Sequence, residues 1–489
     1  MKILPTFLFG AALLISLVLG AELVEVGYTK FVNIYHGLDD SISLDAATRI
    51  PVGLAYAGLN LLYTIWVFRE LFADAKADLS PENSTPESAK ANIVVPNKTS
   101  PGFAVLLLNS AVFLIIAFLI YPIGSDIYLY LHYGLMALHD VNPFLVNAGD
   151  FLSELSPFIR WNQTSTYGPL SQGFFMVAGL FAPLSPVLAI YVFKLICLSF
   201  HGLNAYIVWH LLKGHRYQYG ATLAYVLNPL LLFEQVSVAH VDVFVCTALL
   251  GMILCFQQRR YVWGILAIWL GFLAKTLPII WLPLALVFLV RQRRWASLTI
   301  ALLFISGSVL VLQQTLLPTP LAWKSLLNPG VQGKEVNSLH VLFQGILANT
   351  SFPLSYAFER LLKQIISLSI NSLGLLIFAS LYGATLIRLL FIKETEDTLF
   401  LAFGWITLVL LLFATPWLMP WYCSALVPIA VLQKSRRLAI VTFVFCFSSS
   451  CGYVLINTGA IQSLVVAGLP ILALLLQLIP HQTWLSKST

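Results

Sequence analysis

The sequence predicts an all-α fold: a polytopic bundle of about 12–14 transmembrane helices with a large first external loop that carries membrane-surface helices. Three observations predict it. Of 489 residues, 59% are hydrophobic and only 10% are charged, against about 25% charged in soluble domains. Mean hydropathy is +0.87, which excludes a disordered chain as well as a soluble one. Apolar stretches long enough to span a bilayer recur along the chain, and Lys and Arg concentrate in alternate loops between them. The net charge of +6 comes from 27 Lys and Arg against 21 Asp and Glu. In a membrane protein such an excess belongs to cytoplasmic loops, so no nucleic-acid partner is expected.

The expected spans are 3–20, 52–70, 103–121, 186–212, 217–234, 241–257, 261–276, 277–291, 296–315, 366–391, 398–414, 420–433, 438–456 and 463–480. The first follows Lys2 and lacks a small-x-small cleavage site, so it reads as a signal anchor. Residues 1–72 form an accessory pair of helices. Residues 73–102, rich in Ser, Pro, Asn and charged residues, read as a flexible cytoplasmic linker to a transmembrane core domain over 103–489. The basic loops are marked by Lys76, Lys90 and Lys98; Lys213 and Arg216; Arg259 and Arg260; Arg291, Arg293 and Arg294; Arg388 and Lys393; and Lys434, Arg436 and Arg437. All six are placed on the cytoplasmic side. The apolar segment 168–183 would break this alternation if it crossed, so it is expected to lie along or re-enter the outer face, with Pro183 and Pro186 turning the chain. External loops of about 122–185 and 316–365 then remain, and long structured loops are usually functional.

In the first loop, Asp126, Tyr130 and Tyr133 share one helical face. Ser125-Asp126 fits an ordinary helix N-terminus, and Asp126 equally fits a base that takes a proton from a hydroxyl at the membrane surface. Asn142-Pro143 marks a turn, as does Tyr167-Gly168-Pro169. Ionisable residues inside or at the ends of spans form the most informative pattern. Lys194, Glu234, His240, Asp242 and Lys275 all fall in the outer half, with His201 on the same face as Lys194. Such groups are costly in lipid, and each also fits a structural ion pair, but their shared side favours a polar cavity opening outward. Trp417, Trp421 and Tyr422 fit an interfacial aromatic belt or a surface for stacking a sugar. No phosphate-binding Gly-rich loop, HExxH or zinc-spaced Cys/His cluster occurs, so neither a metal nor another cofactor is expected. The six cysteines lie in apolar stretches and read as small core residues.

Asp126…Tyr130, Asn142-Pro143-Phe144 and Thr166-Tyr167-Gly168-Pro169-Leu170, in that order, resemble the first external loop of GT-C-type membrane glycosyltransferases, in particular the polyprenol-phosphate-mannose-dependent mannosyltransferases. Asn228-Pro229 through Glu234, followed by Ala239-His240-Val241-Asp242, resembles their N-P-L-x-L-x-E and G-H-N-D segments, and Pro420-Trp421-Tyr422 resembles their late P-W-Y. The likeness runs from about 103 to 433. Ala239 and Val241 stand where that pattern has Gly and Asn, and Phe144 where it has Tyr.

The resemblance implies transfer of a sugar, mannose first, from a polyprenyl-phosphate donor to a lipid-linked or cell-envelope glycan acceptor. The active site would face the periplasm, cell exterior or organelle lumen. Carried over by position, Asp126 is the general base. His240 and Asp242 match the family segment. Lys194 and Lys275 are assigned to donor phosphate from topology, and Tyr130, Tyr167, Trp421 and Tyr422 complete the expected donor site. A transporter or flippase of a lipid-linked sugar is the alternative; it predicts internal repeats and ionisable groups on both sides.

Overall fold

The computed structural model describes residues 3–39, 44–72, 101–327, 334–432 and 435–478. Most of the expected linker, residues 73–100, lies outside these. The described chain is helical, with one isolated bridge between Val336 and Trp417 as its only β pairing. In order, α1 (Ile3–Tyr35), α2 (Ala46–Phe72) and α3 (Phe103–Leu119) lead to the first long loop, which holds α4 (Asp126–Leu138) and α5 (Pro169–Gly179). Then come α6 (Pro186–Leu211), α7 (Gln218–Val226) and α8 (Pro229–Leu231), which runs into a π-helical turn, Leu232–Ser237. Next are α9 (Asp242–Gln257), α10 (Tyr261–Ala274), α11 (Trp281–Arg291) and α12 (Trp295–Gln314). The second long loop holds α13 (Pro320–Leu327) and α14 (Leu339–Asn349). The last helices are α15 (Tyr356–Phe391), α16 (Glu396–Val409), α17 (Val427–Val431), α18 (Arg436–Cys451), α19 (Ala460–Ser463) and α20 (Leu469–Leu478).

Seven of these segments are long and apolar enough to cross a membrane, and six further apolar helices of 10–17 residues accompany them. Expected and observed boundaries differ where apolarity and helicity part company. The apolar run of α1 ends near residue 20, yet the helix continues to Tyr35 through Glu22 and Glu25, because Glu is a good helix former. Likewise α15 starts at Tyr356, ten residues before the expected span. At 36 residues it is about 54 Å long, well beyond a hydrocarbon core of about 30 Å. The expected span 217–234 is broken at Asn228-Pro229. Proline removes the backbone donor there, and the Asn228 carboxamide caps the new start through the N–H groups of Leu230 and Leu231.

The first two helices are locked into the bundle. Tyr63 on α2 donates to the carbonyl of Ala224 at 2.6 Å, and Asn228 donates to the Tyr63 hydroxyl. Gly53 lies against the backbone of Val454, leaving no room for a Cβ. The turns bearing Lys213 and Arg216, Arg259 and Arg260, and Arg291, Arg293 and Arg294 all sit at helix ends opposite those that carry Glu234, Asp242 and Lys275. The segment 168–183 forms α5, which packs on α4 so closely that a Cβ at Gly134 would strike the Phe175 carbonyl.

The two long loops dock on each other. Asn142 does two jobs: its carbonyl oxygen accepts from the Phe144 N–H at 2.9 Å, and its amide donates to the Leu316 carbonyl at 2.9 Å. Phe144 is thereby driven into a fully buried cluster with Trp269, Phe272 and Leu317. Ser325 donates to the Ser165 carbonyl at 2.7 Å and meets Thr164 at 2.7 Å.

Candidate functional site

The site is built where helix ends meet below these loops. Asp126 begins α4 after a short link, residues 120–125, from the end of α3. Asp242 begins α9, and Lys275 follows the end of α10. Lys275 and Asp242 pair at 2.7 Å, and the lysine ammonium lies 4.8 Å from the centroid of the Tyr422 ring. Asp126, Asp242, Lys275, Tyr167, Trp421 and Tyr422 line one cavity of about 260 Å³. Its remaining wall includes Trp161, Gln163, Thr166, Met419 and Trp417. Burial pushes the Asp126 carboxyl up to about 6, with the positive charge of Lys275 opposing the rise and the negative charge of Asp242 adding to it by repulsion.

Behind this wall lies a chain of buried polar groups. His240 Nδ1 is 3.2 Å from the Tyr130 hydroxyl and 3.7 Å from Asp126 Oδ2. Its Nε2 is 3.4 Å from Glu234 Oε2. Tyr453 donates to the other Glu234 oxygen at 2.7 Å. The imidazole stacks on Trp421 at 3.9 Å between centroids, and burial holds it well below the usual histidine range, so it is neutral. The backbone that delivers it is unusual. The His240 N–H bonds back to the Glu234 carbonyl, and Ala239 adopts φ +60. That left-handed conformation costs an L-residue about 1–2 kcal/mol, and it falls at the position where the resembling segment carries glycine.

Tyr167 is aimed by its own turn. Gly168 donates to the Ala274 carbonyl at 3.1 Å, and a Cβ on it would collide with the Leu273 carbonyl. Pro169 then opens α5 from a position that needs no backbone donor. The same turn therefore fixes the end of α10 beside Lys275. Tyr130 meets Tyr167 edge-on at 4.7 Å and stacks on Phe175 at 4.9 Å.

The expected site residues thus divide into three groups. Asp126, Asp242, Lys275, Tyr167, Trp421 and Tyr422 face the cavity. Tyr130 and His240 stand behind Asp126, buried and outside the cavity lining. Lys194 lies apart from this wall. It is fully buried on α6, its ammonium donates to the Ile120 carbonyl, and it faces the rings of Tyr191 at 5.2 Å and Phe118 at 5.7 Å. The assignment of Lys194 to donor phosphate rested on helix depth alone, which does not report the direction a side chain faces around the helix.

Trp161 escaped the sequence reading. It meets Trp417 edge-on at 5.9 Å, and the Lys334 ammonium lies 3.8 Å from the centroid of its ring. A tryptophan in a loop beside other aromatics was the available signal. Among the described residues no three His, Cys, Asp or Glu side chains are grouped to hold a metal ion. The six cysteines are unbridged, four of them fully buried.

A family model described as alpha-(1->6)-mannopyranosyltransferase, N-terminal domain, matches residues 9–291. The match takes in α1 to α11, and with them Asp126, Tyr167, Glu234, His240, Asp242 and Lys275. No curated protein and no solved structure matches the chain.

Proposed function

Because the chain belongs to the alpha-(1->6)-mannopyranosyltransferase family, it is a mannosyltransferase, and we propose that it takes mannose from a polyprenyl-phosphate donor and passes it to a hydroxyl of a lipid-linked or cell-envelope glycan on the outer membrane face. The observation that carries this reading is the meeting of Asp126 and the Asp242–Lys275 pair in one aromatic-walled cavity. The outward assignment rests on the basic turns at the opposite helix ends.

The chemistry follows from those groups. As the acceptor oxygen attacks the anomeric carbon, its proton passes to Asp126. The bond between that carbon and the phosphate oxygen breaks, and the polyprenyl phosphate leaves with the bonding pair. Lys275 meets the charge that develops on the leaving phosphate. Asp242 holds the ammonium in place while leaving donors free on it. Tyr167, Trp161, Trp417 and Tyr422 offer ring faces and edges to the sugar. His240, neutral and clamped between Trp421, Tyr130 and Glu234, orients Asp126 rather than binding phosphate.

The test is transfer by purified protein in nanodiscs, with polyprenyl-phosphate mannose, glucose and arabinose offered separately alongside a membrane glycolipid extract. Mannose-donor-dependent labelling is expected. Asp126→Asn should lower turnover by about 10²–10⁴-fold, the usual contribution of a general base, while donor binding persists. Undiminished transfer by Asp126→Asn would remove the base assignment. Transfer from a nucleotide sugar but from none of the lipid donors would overturn the donor class.

A further inference from the structure

A second cavity, of about 430 Å³, is bounded by α1, α2, α3 and the segment from Leu223 to Ser237. No residue lines both cavities. It is elongated along the helices. On α1 its wall runs from Leu8 to Leu19, and on α2 from Tyr56 to Trp66, about 15 Å of helix in each case. The lining is mostly apolar; of its hydroxyls, that of Tyr56 is buried without a partner, while those of Ser237 and Tyr63 bond to backbone. Ser237 donates to the Ala117 carbonyl at 2.9 Å and Tyr63 to the Ala224 carbonyl at 2.6 Å.

One end is open to the bilayer. Phe9 lines it while remaining 48% exposed, its ring edge against Phe113 at 5.4 Å, and the neighbouring Phe7 and Leu14 are exposed as well. The other end is stopped by the rings of Tyr56 and Phe233, 4.7 Å apart. Beyond Phe233 the Glu234 carboxylate is occupied by Tyr453.

We infer that this channel holds one acyl chain of a bilayer lipid, which completes the packing between the first two helices and the rest of the bundle. A cavity lined in this way does not take up water. Helices in lipid have no hydrophobic drive to close such a gap by themselves. Its extent along the helices suits a hydrocarbon chain, and its mouth lies among residues that face lipid. The closed inner end favours a bilayer acyl chain over the tail of a lipid-linked donor. A donor tail would have to be continuous with the cavity that holds Asp126 and Lys275. The inference does not depend on the proposed reaction, because it is read by binding.

The experiment reconstitutes the full chain in nanodiscs containing a phosphatidylcholine with a diazirine near the end of one acyl chain. A parallel sample contains a diazirine-bearing polyprenyl phosphate instead. Crosslinked residues are mapped by mass spectrometry. The acyl probe should label the channel faces of α1, α2 and α3 as well as the outward-facing Leu14 and Leu108. Ala117→Phe and, independently, Ala12→Phe should reduce channel labelling at least fivefold while leaving labelling at Leu14 and Leu108 unchanged. Labelling confined to outward-facing residues in the wild type would overturn the inference. So would channel labelling by the polyprenyl probe alone, which would reassign the channel to a lipid substrate. If either filled variant fails to fold, the wild-type map and the other variant still decide.

Discussion

If Asp126 is the base, transfer must fall on its acidic side with the titration of that one carboxylate. Its carboxyl sits at about 6, raised from its ordinary value by burial, so the carboxylate form dominates at pH 7.5 and is half lost at pH 6. At pH 5 only about a tenth remains, so kcat/KM should stand about tenfold below its plateau, equivalent to about 1.4 kcal/mol of barrier. The neighbouring charges allow a sharper test than the limb itself. Lys275 lowers the Asp126 value and Asp242 raises it. Lys275→Gln should therefore move the acid limb to higher pH, and Asp242→Asn should move it to lower pH, whatever each does to the plateau. The assay is initial-rate mannose transfer in nanodiscs between pH 4.5 and 8.5, with thermal unfolding recorded at each pH to exclude loss of folded protein. A flat profile from pH 5 to 7, or limbs that shift in the same direction in both variants, would refute the assignment of Asp126 as the titrating base.

Other outcomes follow from single contacts. Gly168→Ala should destabilise the protein by about 1–3 kcal/mol, the range for overpacking against backbone. It should also lower transfer, because the Leu273 carbonyl beside it leads directly to Lys275; thermal unfolding and activity read the two effects. At Ala239, valine should cost more than about 2 kcal/mol because a β-branched side chain tolerates positive φ poorly. Glycine there should stay within about 1 kcal/mol of wild type, since relief of the left-handed strain is offset by the lost buried methyl. Phe144→Ala should cost about 3–5 kcal/mol and increase proteolysis in both long loops, which its buried ring holds together. Trp161→Ala should raise KM for the sugar donor or acceptor more than it lowers kcat, because its ring lines the cavity wall and has no proton to exchange with the substrate.

Much of this molecule could be read from residue order alone. A hydrophobic fraction of 59% with few charges dictates helices in a membrane, because lipid leaves the backbone no partner but its own turns. The same economy made intramembrane ionisable residues conspicuous, and Asp126, Asp242 and Lys275 do meet in one cavity. The motifs pointed to a mannosyltransferase family, and the family match agrees. Tertiary structure decided everything that depends on rotation around a helix or on contact between distant segments. It turned Lys194 away toward Ile120, Tyr191 and Phe118. It placed His240 and Tyr130 behind Asp126, and it brought Trp161 to the cavity from a loop with no periodicity of its own. It also showed that Asn142-Pro143-Phe144 and Gly168 are fastenings between segments far apart in the chain. Hydropathy measures transfer into lipid and says which residues leave water; it carries no term for which neighbour they meet when they do.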